Sequence, residues 1–343
     1  MELRFNVDIR DMNSFGIAAK AACTAEYYSI DELSEICRDT ELPRPFKSIG
    51  GGSNLLFTKD FGGTLLHSGI RFIEPYCSKG VCTARVGAGV PWDEFCGWCA
   101  ERALWGPENL SMIPGDTGAA AVQNIGAYGV EISDIISTVE CFDLQSGRMV
   151  LFGRDECAYG YRDSFFKHDG GRYVVTAVSF SLSTEYNPVT GYGNVMDRIV
   201  EKYGSYSVYG KALTPELVRR TIMEIRREKL PDPAIYGNAG SFFRNPCVTK
   251  EKFAEISGDG RTDVPHFAAE GGLVKIPAAW MIDRCGWKGY REGNVGVWEK
   301  QPLVLVNMSG KASGAEIEAL EQKIRASVKE RFGVELQAEV EHI

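Results

Sequence analysis

Two glycine-rich segments are the most chemically suggestive parts of this sequence. The first, Gly50-Gly51-Gly52-Ser53-Asn54-Leu55, follows the short stretch Lys47-Ser48-Ile49, which reads as a strand. Three glycines and a serine after a strand let backbone N–H groups approach a phosphate closely and wrap it. The segment lacks both the spacing of a dinucleotide fingerprint and the lysine of a P-loop, and by itself such a triplet is more often a turn. The second segment runs from Ile113 to Gly129 and is small-residue almost throughout. Such a run makes poor core, but it suits backbone lying along an extended, phosphate-bearing ligand.

Other reactive side chains point less clearly to chemistry. Cys96-Gly97-Trp98-Cys99 has the spacing of a redox pair, and Cys77 with Cys82 could complete a four-thiolate metal site. The pair lies in a helical pattern entered through Pro91, however, and not at a strand-to-helix turn. Small, buried, inert cysteines are therefore expected. No metal-ligand spacing stands out. Ser241 has no nucleophile elbow, and His67, His168, His266 and His342 lie in no base motif, which sets aside a serine hydrolase.

The surrounding pattern alternates helix and strand. A helix is expected from Ser29 to Cys37, short strands between Gly63 and Arg85, and a helix from Trp92 to Leu104. Strands follow at Val139–Leu144 and Tyr173–Leu182, then a Tyr-, Gly- and Ser-rich excursion with a short helix between Asn187 and Leu213. Thr214-Pro215-Glu216 opens a helix that runs to Lys229 and stops at Pro231-Asp232-Pro233. The chain closes on an alternating strand, Gln337–Val340. The reading is α+β with a boundary near 210. A chain of 343 residues suggests two or three domains, and a formal net charge of -8 argues against a general nucleic-acid binder. No signal-like or membrane-spanning apolar run is visible, so a cytoplasmic protein with ten reduced cysteines is expected.

Further motifs occur in a fixed order: Tyr161-Arg162-Asp163-Ser164-Phe165-Phe166-Lys167, Lys229-Leu230-Pro231-Asp232-Pro233, and Gly237-Asn238-Ala239-Gly240-Ser241-Phe242-Phe243-Arg244-Asn245-Pro246. The glycine pair resembles flavoproteins of the vanillyl-alcohol oxidase type, which hold FAD between two subdomains. With the later motifs, the chain from about Asn13 to Glu339 resembles the UDP-N-acetylenolpyruvoylglucosamine reductases. Gly191-Tyr192-Gly193 in the middle insertion resembles the subclass with a mobile tyrosine loop.

The resemblance implies a two-subdomain FAD-binding fold plus a C-terminal α+β substrate domain. Residues 1–70 and 71–210 would be the two FAD-binding subdomains, the second including the tyrosine loop. Residues 211–334 would be the substrate domain, with the tail 335–343 returning to the active site. It further implies non-covalent FAD, NADPH as co-substrate, a UDP-sugar enolpyruvyl substrate, and a monomer without metal, nucleic acid or membrane. In such enzymes hydride from reduced flavin reaches the terminal carbon of the enol ether, charge builds on the neighbouring carbon and its carboxylate, and a proton completes the reaction.

On this resemblance Arg162 polarises the carboxylate, Glu339 is its partner acid, and Ser241 gives the proton to carbon. Tyr192, Lys229 and Asn245 bind the nucleotide. Gly50, Gly51, Gly52, Ser53, Asn54, Leu55, Gly115, Gly118, Ala119, Gln123, Asn124, Gly126, Ala127 and Tyr128 hold the cofactor. Read from residue type alone, Ser241 is a cap or turn residue, Lys229 a helix-terminal cation, and Asn245 the start of a turn. Arg226, one helical turn before Lys229, is either part of an anion site or solvated surface. Two departures stand out: Arg244 where Lys is frequent, and Glu341 where Arg is common. The alternative, a related FAD oxidoreductase with another substrate, would leave Ser241, Lys229 and Asn245 without a purpose.

Overall fold

The computed structural model describes residues 1–204, 213–258 and 263–343. The chain separates into two compact units, each assembled from several stretches. The first comprises Met1–Val7, Ala21–Gly51 and Gly62–Glu228; the second comprises Asp8–Lys20, Gly52–Phe61 and Lys229–Ile343. The division passes through the first glycine segment, between Gly51 and Gly52.

Among the described residues the first unit contains two main sheets, beside the short pair Gly126–Ala127 and Val130–Glu131. In the smaller, the strands run in the order Glu2–Asp8, Lys20–Tyr27, Phe61–Ser68, Phe46–Ile49, and the last two pair in parallel with Ile49 opposite His67. The helix Ile30–Arg38 packs here through Leu33 and Ile36, which join Tyr27 and Leu66 in one apolar cluster. It starts where residue type says it should: the Ser29 hydroxyl accepts from the Glu32 N–H, and Asp31 and Glu32 occupy the positive end of the helix dipole.

The larger sheet is fully antiparallel, in the order Arg148–Gly153, Ile136–Asp143, Tyr173–Ser183, Val81–Gly87, Ile73–Ser78. Its central strand reads Tyr-Val-Val-Thr-Ala-Val-Ser-Phe-Ser-Leu-Ser and is buried without a break from Val174 to Val178. The helix Trp92–Glu101 packs against this sheet through Trp92 and Phe95, whose rings meet Phe180 at centroid distances of 5.7 and 4.8 Å. The Trp92 indole N–H donates to the Leu110 carbonyl at 2.9 Å, so the buried polar edge is satisfied.

The helix Pro215–Lys229 also belongs mostly to this unit. Its Val218, Ile222 and Ile225 pack with Trp105 and with Val195 and Ile199 of the helix Val195–Tyr203. Arg219 fixes it further, with its Nη1 2.5 Å from Asp93 Oδ1.

The second unit is built around the long helix Gly314–Phe332, which enters through a Ser313/Glu316 capping box and leaves through Gly333 in the left-handed region. Ile317, Leu320, Ile324 and Val328 of that helix pack with Met281 and Ile282 of the helix Ala278–Arg284 and with the strands Val295–Val297 and Leu305–Asn307. Phe15, Leu56 and Phe242 close the same core.

The cysteines depart in part from expectation. Cys96 and Cys99 are buried free thiols, and burial pushes both well above the usual thiol range, which suits inert packing. Cys77 and Cys82, by contrast, stand directly opposite each other in the hairpin of Ile73–Ser78 and Val81–Gly87 and are joined as a disulfide. The expectation of ten free thiols is corrected accordingly. Cross-strand register, invisible in the spacing, brings these two sulfurs together. Among the described residues no group of three or more His, Cys, Asp or Glu is arranged to hold a metal.

Trp92→Ala should destabilise the protein by about 3–5 kcal/mol, because it empties a large site and strips the Leu110 carbonyl of its donor. Urea unfolding followed by fluorescence measures this, and a loss below 1 kcal/mol, on the scale of surface changes, would place the packing centre elsewhere.

Candidate active site

In the first unit the two glycine segments lie against each other. A Cβ added at Gly50 would stand 2.7 Å from the Ala119 Cβ, and one at Gly51 would stand 3.4 Å from the Gly115 Cα. Gly118 is equally tight, since a Cβ there would stand 2.8 Å from the Ala88 Cβ. Residues Thr117–Gln123 form a short helix. Small side chains are needed on this helix because it packs at backbone range. The cradle therefore exposes peptide groups instead of side chains, the surface that a phosphate-bearing cofactor requires.

Asn124 ends that helix with φ 45°, and its side chain is wholly engaged inside the protein. Its Nδ2 donates to Glu131 and to the Gly160 carbonyl, and its Oδ1 accepts from the Ser133 N–H. What it offers to the site is its backbone carbonyl, which accepts from Arg162 Nη1 at 3.4 Å. Arg162 Nη2 donates to the Gly126 carbonyl. The second glycine segment thus aims this guanidinium, and Arg162 itself adopts φ 54°, a left-handed conformation uncommon outside glycine. Asp163 pairs with His168 at 2.8 Å, so the neighbouring acid is already matched.

The tyrosine loop meets the end of the same segment. A Cβ on Gly129 would stand 3.0 Å from the Tyr192 Cβ, so a side chain there would push against the loop. Asn109 ties the two together, with its Nδ2 donating to the Tyr128 carbonyl at 2.9 Å and to the Val189 carbonyl at 2.7 Å. Nothing in the sequence around Asn109 signals this. Nearby, Arg226 is not solvated surface. Its Nε is enclosed and has no partner among the described residues, and burial lowers its pKa from the ordinary arginine value. The side-chain-free cradle fits FAD, whose diphosphate needs close backbone.

In the second unit three distant stretches are spliced by backbone hydrogen bonds. The Glu339 N–H donates to the Phe242 carbonyl at 2.8 Å, and the Arg244 N–H donates to the Gln337 carbonyl at 2.9 Å. On the other side Asn54 Nδ2 donates to the Glu339 carbonyl at 3.1 Å, and the Glu341 N–H donates to the Asn54 carbonyl at 3.0 Å. Glu341 and His342 then pair in parallel with Leu55 and Leu56. Ser241, Asn54 and Glu339 are thereby neighbours along one ladder. Ser241 is half-buried, and its hydroxyl has no hydrogen-bond partner among the described residues. A serine kept for capping would have one.

Lys229 and Asn245 are held by other contacts in this unit. The Lys229 carbonyl accepts from the Trp298 indole at 3.1 Å, which leaves an exposed residue with a fixed backbone. Asn245 Oδ1 accepts from the Ala278 N–H at 2.9 Å, so its oxygen caps the helix Ala278–Arg284 and its NH2 group is the part available for recognition. Gly52, with φ 64°, packs on the Met12 carbonyl, and the Ser14 N–H donates to the Gly52 carbonyl at 3.1 Å.

His342 anchors the tail that carries Glu339. Its Nε2 lies 2.8 Å from Oε2 of Glu321, whose side chain is 2% exposed, and its ring meets Phe242 edge-on. The hydrogen bond to Glu321 is the main reason that its pKa is raised above 6.5. Arg325 reaches the same carboxylate at 3.4 Å.

A family profile described as "UDP-N-acetylenolpyruvoylglucosamine reductase, C-terminal domain" matches residues 232–343, and one described as "FAD binding domain" matches residues 21–153. A UDP-N-acetylenolpyruvoylglucosamine reductase of Bacteroides fragilis is 47% identical over 333 residues, covering 96% of this chain and 97% of the relative. One of Pseudomonas syringae pv. tomato is 44% identical over 337 residues, covering 97% and 96%. The crystal structure of such a reductase from Thermus caldophilus aligns with a TM-score of 0.66 at 23% identity over 99% of this chain and 98% of that one, a likeness of fold.

The His342–Glu321 pair has a testable pH signature. A histidine whose folded pKa is raised contributes stability that is fully present below its unfolded value, near 6.5, and is lost as pH rises through the folded value. The melting temperature should therefore fall with rising pH above that point, and His342→Phe should flatten the fall while costing about 1–3 kcal/mol at low pH through the stranded Glu321. Thermal scans across pH check this; an unchanged slope in His342→Phe rules the pair out as its source.

Proposed function

We infer that this chain, which belongs to the UDP-N-acetylenolpyruvoylglucosamine reductase family, places most of its flavin-holding groups and its carboxylate-polarising group in the first unit and its protonating group in the second. The enzyme is an FAD-dependent oxidoreductase that uses NADPH to reduce UDP-N-acetyl-3-O-(1-carboxyvinyl)-glucosamine to UDP-N-acetylmuramate, in the synthesis of the peptidoglycan precursor. When bound, FAD would be held by the two glycine segments and would supply the hydride chemistry between NADPH and the terminal carbon of the enol ether.

The protein's own groups must then manage a developing negative charge and a proton. Arg162 is assigned the substrate carboxylate: its guanidinium is oriented by the Asn124 and Gly126 carbonyls, and two parallel N–H groups suit a carboxylate. Glu339 is assigned the acid beside that carboxylate, where a neighbouring anion favours its protonated form. Ser241 is assigned the proton given to carbon. A serine is a weak acid, but the enolate it would protonate is a strong base, so position matters more than donor acidity. The observation that carries this reading is the splice at Phe242, which fixes Ser241 and Glu339 as neighbours although they are far apart in sequence.

Tyr192, Lys229 and the Asn245 NH2 group are assigned to the nucleotide, and the two glycine segments to FAD. We extend the proposal to a cytoplasmic monomer. No helix among the described residues is long and apolar enough to cross a membrane. Light scattering of the purified protein tests the monomer.

Ser241→Ala should keep near-parental flavin reduction by NADPH but reoxidise its flavin with substrate at least about a hundredfold more slowly. Ser241→Cys should recover part of the loss. Anaerobic stopped-flow on each half-reaction decides: parental reoxidation in Ser241→Ala removes the residue from the mechanism, and equal damage to both halves marks a structural role.

Tyr192→Phe should weaken substrate binding by about 0.5–1.5 kcal/mol through one lost hydroxyl contact, with NADPH reduction unaltered. Calorimetry with the nucleotide substrate measures this, and unchanged affinity makes Tyr192 an ordinary loop aromatic.

A further inference from the structure

His67 stands on the strand Phe61–Ser68 directly opposite Ile49, the residue that leads into the first glycine segment. Its Nε2 is 3.4 Å from Asp116 Oδ2 and its Nδ1 is 3.6 Å from Glu26 Oε1. One imidazole therefore bridges carboxylates from two elements, the strand Lys20–Tyr27 and the residue that precedes the helix Thr117–Gln123.

The position of Asp116 gives this bridge its interest. A Cβ on Gly50 would stand 3.4 Å from Asp116 Oδ2, so the carboxylate lies against the backbone of the cradle. Helix capping does not account for it, because its side chain makes no cap hydrogen bond. Its side chain is 15% exposed, which limits screening by water. An unbalanced carboxylate at this point repels an anionic diphosphate, whereas an imidazolium between Asp116 and Glu26 offsets that charge.

Two other titratable groups lie on or beside the elements that carry these residues. Tyr28 interacts with Glu26 from the same strand edge. Lys47 lies on the same face of the sheet as His67, since it opposes Leu65 two residues before the Ile49–His67 pair. Burial disfavours charge on His67, but the hydrogen bond with Asp116 is the larger influence and holds the imidazole above its ordinary 6.5.

We propose that His67 is the counter-ion that neutralises Asp116 in the flavin cradle, and that its protonation sets how tightly FAD is held. The inference rests on the assignment of the glycine segments to FAD. A bound diphosphate adds negative charge beside the imidazolium, so His67 binds its proton more tightly with FAD present than without it. By linkage, FAD affinity falls as pH rises through that titration.

The test dilutes holoenzyme into buffers from about pH 6 to about pH 9, spanning the histidine range, and follows FAD release by the recovery of free-flavin fluorescence. The parent should release FAD faster as pH rises, by about tenfold for a one-unit difference in pKa between the bound and free states. His67→Gln should release it fast at every pH, Asp116→Asn more slowly than the parent, and the double variant slowly at every pH. A parental pH dependence in His67→Gln overturns the proposal. So does release that tracks each variant's melting temperature instead of pH. Gly50→Ala separates the underlying reading: unaltered FAD retention there removes the glycine segments from flavin binding and takes the His67 proposal with it, whereas faster release there with a failed His67 series overturns the proposal alone.

Discussion

The constraint on which the first unit depends is close approach of backbone to backbone. Gly50 and Ala119 meet at a distance that leaves no room for another methyl group, and Gly118 is pressed as tightly on Ala88. An extended, doubly charged cofactor is best held by peptide N–H groups, and these are reachable only where side chains are absent. Everything near the cradle follows from that condition. The helix Thr117–Gln123 must be small-residue to fit, its left-handed end at Asn124 turns the chain, and the carbonyls of Asn124 and Gly126 that emerge from the turn are the ones that aim Arg162.

The second unit solves a different problem, that of joining stretches from opposite ends of a domain. Side-chain contacts alone would leave them free to drift. Here the backbone does the placing, as Phe242, Glu339 and Asn54 form one continuous ladder. The buried Glu321 and its partner His342 fasten the end of that ladder to the long helix. The departure at Glu341 is tolerated because that residue is exposed and contributes through its backbone N–H, which donates to the Asn54 carbonyl.

Charge in the first unit of this acidic protein is managed locally. Arg219 answers Asp93, Arg172 answers the nearly buried Asp143, and His168 answers Asp163. Against that background Arg226 and Arg244 each enclose an Nε that has no partner among the described residues. A buried guanidinium left short of acceptors is costly in an empty protein and reasonable in one that binds an anion.

Much of the fold was legible in the sequence wherever local chemistry decides. Ser29 and Pro215 start helices because of what a hydroxyl and a pyrrolidine ring do to the first turn, and the β-branched run at Tyr173–Ser183 forms a central strand because it buries both faces. The motifs around Arg162, Ser241 and Glu339 carried the family and hence the reaction. What only the tertiary structure decided are pairings between residues distant in sequence, or between strands whose register no composition encodes. Cys77 meets Cys82 through hairpin register, Asn245 turns out to cap a helix with its oxygen, and His67 and His342, which carried no motif, each find a carboxylate from another element. Periodicity and capping are properties of a few neighbouring residues. The electrostatic surroundings of a side chain are set by whatever the packed chain brings within a few ångströms, and that depends on the whole fold.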